Sequence, residues 1–214
     1  MPTGIRPRPS LTNDDNVDMR KITRTHDGFF ALDVHNFRFR RFDGNWSVEI
    51  EREVFERGHG VSVIPYDPVR DEVILVEQFR LGAHLADMDA WLLEVVAGIL
   101  DKDMSDEDTV RAEAKEEADL TLTHIEKVQR FILSPGGSPE TNTLYCGICS
   151  TEGKEGGIHG VAAEEEDIKT HVFKAPELFE MRKRGEITNA ITLIAVQWLE
   201  LNYDRLRAEH GGAA

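Results

Sequence analysis

After Gly28 the chain alternates between hydrophobic and polar positions in short runs. Phe30-Ala-Leu-Asp-Val, Phe37-Arg-Phe-Arg and Trp46-Ser-Val-Glu-Ile-Glu-Arg-Glu-Val are short, largely alternating patterns, the period of a strand with one wet face. Turn residues such as Asp43-Gly44-Asn45 separate them. The first two dozen residues are polar, which predicts poor order there. Val61-Ser-Val-Ile-Pro and Val73-Ile-Leu-Val-Glu-Gln-Phe are nearly continuous apolar runs flanking Asp67-Pro-Val-Arg-Asp, the pattern of a hairpin. Trp91-Leu-Leu-Glu-Val-Val-Ala predicts one strand ending at Gly98, and Leu144-Tyr-Cys-Gly-Ile-Cys predicts another. Two helices are expected near Pro176–Arg184 and Ile191–Glu209. Strands, a central helix, more strands and terminal helices make an α/β sandwich the expected fold class, with no internal repeat.

The central helix, Ser105 to Ala118, carries the most chemistry. Ser105 is a good N-cap, and Asp106, Glu107 and Asp108 suit the positive end of the helix dipole. Further along stand Glu113, Glu116 and Glu117. At about 100° per residue, Glu116 falls about 60° to one side of Glu113 and Glu117 about 40° to the other. Val110, Ala114 and Ala118 form an adjoining small apolar sector, which places the acids along a packing seam. Carboxylates so crowded repel one another unless a cation neutralises them, and hard oxygen donors suit Mg²⁺ or Mn²⁺.

Composition narrows the function classes. Across 214 residues, 40 Asp and Glu outweigh 25 Lys and Arg, a formal net charge of −15. That excess argues against nucleic acid and against an anionic membrane surface. The most apolar stretch, Ala190 to Leu199, is half the roughly 20 residues a membrane span needs. No signal-peptide pattern follows the basic start. Cys146 and Cys149 are the only cysteines. On a strand their offset puts the thiols on opposite faces, and a zinc site lacks a second ligand pair, so they read as unrelated residues of a cytoplasmic protein.

The order strand, Gly98, short loop, capped helix and Glu-Ala-x-Glu-Glu-x-x-Leu resembles the Nudix box, Gly-x5-Glu-x7-Arg-Glu-apolar-x-Glu-Glu-x-Gly-apolar. Gly98, Glu113, Ala114, Glu116, Glu117 and Leu120 match; Met104, Ala112 and Asp119 replace the box Glu, Arg and Gly. The flanks extend the likeness. Gly28-Phe-Phe, Arg52-Glu-Val-Phe-Glu-Arg-Gly-His59, Glu77-Gln-Phe-Arg80, Trp91 to Gly98, Ser134-Pro-Gly-Gly137 and Gly157-Ile-His-Gly160 are similar to segments of the bacterial ADP-ribose pyrophosphatases. The resemblance spans Gly28 to Leu201. It implies a Nudix α/β/α sandwich, residues 58–214, and a small N-terminal β region, residues 1–57, used in dimerisation.

The activity so implied is Mg²⁺-dependent hydrolysis of ADP-ribose to AMP and ribose 5-phosphate, with Mn²⁺ as a second metal. The metal ligands would be Glu113, Glu117 and the Ala97 carbonyl, with Glu116 nearby. In the late acidic loop, Glu164 would be the general base and Glu166 a further metal ligand. Substrate contacts would fall on Phe29, Phe30, Arg52, Glu53, Arg57, Arg80, Ile99, Ser134, Pro135, Gly136 and Glu140, with the homodimer partner sharing the adenine end. His59, His84 and His159 read as structural, because glutamates already supply the acid–base chemistry. Two other readings stay open: cleavage of another nucleoside diphosphate sugar such as GDP-mannose, and a degenerate domain that binds ADP-ribose without cleaving it.

Overall fold

A computed structural model describes residues 13–100, 103–160 and 167–212. The chain divides into two compact units. The first comprises the described part of Met1–Gly60 together with Leu100–Asp103 and Phe131–Asn142; the second holds the rest.

The first unit contains an antiparallel sheet in the order β1-β2-β3, from Val17–Asp27, Ala31–Phe39 and Ile50–Glu56. Its first strand corrects the expectation of poor order over residues 17–25. The strand is polar, but its charges meet partners on β2. Register pairs Arg24 with Asp33 and Asp18 with Arg38. Arg24 grips the buried Asp33 carboxylate with Nε and Nη2 at 2.8 and 2.9 Å, and Arg38 Nε reaches Asp18 at 2.8 Å. The guanidinium holds Asp33 below its usual carboxylate range. Cross-strand ion pairs thus replace the apolar alternation from which a strand is ordinarily read. β3 starts at Ile50 and not at Trp46, because Trp46 bridges back to Arg40 and lies under the guanidinium groups of Arg38 and Arg40, 5.0 and 4.3 Å from its ring centre.

The second unit is built on a sheet in the order β10-β11-β5-β4-β9-β8. Its strands are β4 (Gly60–Asp67), β5 (Glu72–Phe79), β8 (His124–Ile132), β9 (Thr141–Ile148), β10 (Gly157–His159) and β11 (Ile168–Lys174). Consecutive residues of β4 and β9 are buried, so both faces of the sheet are covered. The predicted hairpin joins β4 to β5. Asp67 Oδ1 accepts from Val69 and Arg70 N–H at 2.9 and 3.0 Å, and Asp71 turns the chain at φ 58°. Asp tolerates that left-handed geometry better than most residues.

The run from Trp91 to Gly98 is two strands where one was expected. β6 (Trp91–Glu94) pairs with β5, and β7 (Val96–Ile99) pairs with β4. Val95 lies between them, and its N–H donates to the Thr192 hydroxyl at 3.0 Å. Periodicity could not show this break, because both pieces are apolar. The helices are α1 (Leu81–Leu85), α2 (Asp106–Ala118), α3 (Ala175–Lys183) and α4 (Ala190–His210). Ser105 caps α2 through a 3.1 Å bond from Asp108 N–H, and Asn189 caps α4 through Thr192 N–H at 3.0 Å. Among the described residues no helix is long and apolar enough to cross a membrane. Cys146 and Cys149 are free and buried, and burial pushes each thiol up to about 12.

Candidate active site

Helix α2 packs beside β7, and burial of its carboxylates follows their angle around the helix. Glu117, nearest the Val110–Ala114–Ala118 sector, is buried; Glu113 is half-buried; Glu116, farthest round, is exposed. The three therefore do not share one environment. Glu117 and Glu113 both meet the backbone of β7. Ala97 N–H donates to Glu117 Oε2 at 3.2 Å. A Cβ at Gly98 would overlap the Glu113 carboxylate, so only glycine lets that side chain lie against the strand. Two carboxylates beside the Ala97–Gly98 backbone form an all-oxygen donor set suited to a hard divalent cation. Among the described residues no three His, Cys, Asp or Glu side chains converge on one point, since Glu116 faces away. Glu164 and Glu166, expected as base and ligand, lie outside the described residues, as does Glu165.

The three departures from the box have distinct local consequences. Ala112 is exposed, and neighbouring Arg111 donates to the Leu122 carbonyl at 2.5 Å, so it does not stand in for the box arginine. Met104 is exposed just ahead of the α2 cap. Asp119 takes the left-handed turn that ends α2, at φ 50° and ψ 39°. Lys115 pairs with its carboxylate, and Lys154 Nζ spans its Oδ2 at 2.8 Å and its carbonyl at 2.7 Å. Those lysines hold its pKa down to about 2. They anchor a conformation that glycine would adopt without a Cβ penalty.

Arg80, an expected substrate contact in the second unit, is held by a residue that the sequence reading passed over. Glu94 is buried at the end of β6 and accepts from Arg80 Nη2 at 2.8 Å. Gln78 and Asn189 donate to the same carboxylate at 3.2 and 2.9 Å. The available signal was a lone charge in the apolar run Trp91 to Ala97. Ile99 closes β7.

In the first unit, residues far apart in sequence gather around Arg57. Its Nη1 lies 3.3 Å from Glu140 Oε2, and its guanidinium is 5.0 Å from the Phe30 ring centre. Phe29 and Phe55 contact Phe30 edge-on at 4.7 and 5.3 Å. Arg57 Nε is buried with no hydrogen-bond partner among the described residues. Such an orphaned donor is costly, and an acceptor supplied by a ligand would relieve it. Burial raises the pKa of Glu140, opposed by the charge of Arg57. His59 Nδ1 lies 3.3 Å from Thr141 N–H and 3.0 Å from its hydroxyl, which fits the structural role expected of it.

Arg52 lines a separate cavity of about 390 Å³ with His35, Val54, Pro135 and Gly136. Ser134 begins the turn beside it, its carbonyl accepting from Gly137 and Ser138 N–H at 3.1 and 2.9 Å. Glu53 sits on β3 opposite Val34 and is exposed. The structure thus groups Phe29, Phe30, Arg57 and Glu140 at one place. Arg52, Pro135 and Gly136 share another.

No family model matches the chain. It is 44% identical over 201 residues to the ADP-ribose pyrophosphatase of Escherichia coli (strain K12), covering 94% of this chain and 96% of that protein. To the ADP-ribose pyrophosphatase of Haemophilus influenzae it is 39% identical over 186 residues, 85% of each. Likeness to the GDP-mannose pyrophosphatase of Cronobacter sakazakii is lower, 32% over 187 residues, covering 87% and 96%. A crystal structure of an ADP compounds hydrolase superposes with a TM-score of 0.67 at 15% identity, covering 96% of this chain and all of that one, a likeness of fold alone.

Proposed function

The chain belongs to the bacterial ADP-ribose pyrophosphatases of the Nudix hydrolase family, and from that membership we propose that it hydrolyses the pyrophosphate of ADP-ribose to AMP and ribose 5-phosphate. The observation that carries the proposal is the junction of α2 with β7. Gly98 makes room for Glu113 where Glu117 engages the Ala97 amide. Glu113, Glu117 and the Ala97 carbonyl would hold Mg²⁺ or Mn²⁺, with Glu116 and Glu166 in support. A bound divalent cation supplies charge neutralisation at the pyrophosphate and lowers the pKa of water.

The protein's own groups do the remaining work. Glu164 takes the proton of the attacking water. Arg52, Arg57 and Arg80 bind phosphoryl oxygens, for which the planar guanidinium is shaped. Glu53 contacts the substrate with these arginines, Phe29 and Phe30 hold the adenine, Ile99 offers its backbone beside the site, and Ser134, Pro135, Gly136 and Glu140 line the terminal-ribose end. The N-terminal β region pairs two copies into a homodimer. Two buried free thiols fit a cytoplasmic enzyme.

Incubation with ADP-ribose and Mg²⁺ is expected to release AMP, and EDTA to stop it. The 32% identity to a GDP-mannose pyrophosphatase keeps GDP-mannose as the second substrate to assay. Binding of ADP-ribose without AMP release at millimolar Mn²⁺ would sink the hydrolase reading in favour of a sensor, the outcome that Met104 and Ala112 would favour. Light scattering at micromolar concentration checks the dimer; a fully active monomer would exclude it.

A further inference from the structure

Glu94 is 6% exposed, and its carboxylate is satisfied in an asymmetric way. Each oxygen receives one amide donor: Asn189 Nδ2 reaches Oε1 at 2.9 Å, and Gln78 Nε2 reaches Oε2 at 3.2 Å. Arg80 takes both oxygens side-on, Nε at 3.2 and 3.1 Å and Nη2 at 2.8 Å. The amide donors are themselves fixed. Gln78 is on β5, and Asn189 is the N-cap of α4, its Oδ1 accepting from Thr192 N–H at 3.0 Å. Thr192 in turn receives the Val95 N–H at 3.0 Å, one residue beyond Glu94. The carboxylate is therefore clamped from β5, from the β6–β7 break and from the start of α4.

A buried ion pair is weak evidence for stability, because desolvation offsets much of the attraction. Here one partner is buried while the Arg80 side chain remains 46% exposed. Two rigid amides already give each oxygen a donor, and the remaining lone pairs face Arg80. The consequence falls on the arginine. Its Nε–Nη2 edge is held, which sets the direction of the Nη1–Nη2 end, the fork that matches two oxygens of a phosphate. We propose that Glu94 is a positioning residue that aims Arg80 at a phosphoryl group of the substrate. The proposal rests on the reading of Arg80 as a substrate contact. Ordering a long side chain before the ligand arrives removes that cost from binding.

The test is a double-mutant cycle read by calorimetric titration of ADP-ribose in EDTA, which avoids turnover, with thermal unfolding of each variant alongside. Glu94→Gln keeps the shape and one acceptor oxygen but removes the charge that orients Arg80. It is expected to weaken ADP-ribose roughly tenfold, the scale for immobilising one rotamer-rich side chain. In an Arg80→Ala background the same change is expected to add nothing. Asn189→Ser retains the helix cap while dropping one donor to Glu94, and a shift of about twofold to threefold in the same direction is expected. It serves as the folded variant should Glu94→Gln prove unstable.

Equal weakening by Glu94→Gln in both backgrounds would show a general structural role and overturn the proposal. Tighter binding would do so too, by making Glu94 a counter-charge to the substrate. If Arg80→Ala leaves affinity unchanged, the substrate contact and the aiming fail together. If Arg80→Ala weakens binding and both Glu94→Gln and Asn189→Ser leave it intact, only the aiming fails.

Discussion

Two regions of the second unit bury carboxylates and treat them differently. At the β4–β5 hairpin, Glu72 is surrounded by donors: Lys174 Nζ at 2.8 Å, Arg70 Nε at 3.2 Å and the Thr151 hydroxyl. Asp67 beside it accepts Thr151 N–H at 2.8 Å as well as two turn amides. Cations and hydroxyl hold Glu72 down at about 2, and its role ends in the fold. At the junction of α2 and β7, Glu117 meets a backbone amide, and Glu113 lies where glycine leaves room. Carboxylates satisfied by lysines tie elements together. Carboxylates set against strand backbone keep the oxygen chemistry that a divalent cation needs.

The strongest way to break this contrast is to disarm the second region. Glu117→Gln and Gly98→Ala are each expected to cut ADP-ribose hydrolysis by at least ~100-fold, beyond the 10–100-fold typical of supporting partners. Glu117→Gln should also weaken Mg²⁺ binding by titration while the unfolding temperature changes little. Near-normal turnover with unaltered Mg²⁺ dependence in Glu117→Gln would end the metal-site assignment.

Glu72→Gln probes the other region and should do the reverse. Activity is expected to hold, while stability at pH 7 falls by about 2 kcal/mol, the scale of charged hydrogen bonds. Its folded pKa of about 2 lies below the ordinary 4.5, so this contribution is complete above pH 4.5 and is lost as pH falls through 2. Denaturant melts of wild type and variant should therefore converge between roughly pH 5 and pH 2. A gap that persists at pH 2 would contradict the ionic origin.

Restoring the box sharpens the contrast from the other side. Met104→Glu with Ala112→Arg is expected to raise activity at low Mg²⁺ by roughly tenfold, since an arginine there would brace a carboxylate proposed as a metal ligand. Kinetics at micromolar and millimolar Mg²⁺ distinguish this from a general gain. The smallest effect belongs to Asp119→Gly. It relieves a left-handed residue and loses exposed lysine pairs, two small and opposed effects, so the unfolding temperature should barely change. A clear drop would mean that the Lys154 clamp matters more than the backbone angle.

What was legible in the sequence is local. Ser105 as cap, the α2 boundaries, the helical spacing of Glu113 and Glu117, the turn after Asp67 and the two terminal helices each depend on residues within a few positions of one another. Gly98 could be matched to a motif by spacing, but its reason is tertiary: the Glu113 side chain fills the place of its missing Cβ.

Long-range pairing decided the rest. β1 is a strand because Arg24 finds Asp33 and Arg38 finds Asp18, and no periodicity in Val17–Asp27 announces those partners. The run from Trp91 breaks at Val95 because Thr192 supplies an acceptor there and the two halves pair with different strands. Glu94 becomes a clamp only when Gln78, Arg80 and Asn189 arrive from three elements. Glu116, matched to the motif as securely as Glu117, is turned to solvent, since the helix can press only one sector against β7. The physical reason is common to all four. A side chain's type and its angle on a local element are written in neighbouring residues, while its charge partners and burial depend on chain that folds back from another element, 9 to 97 residues away in these cases.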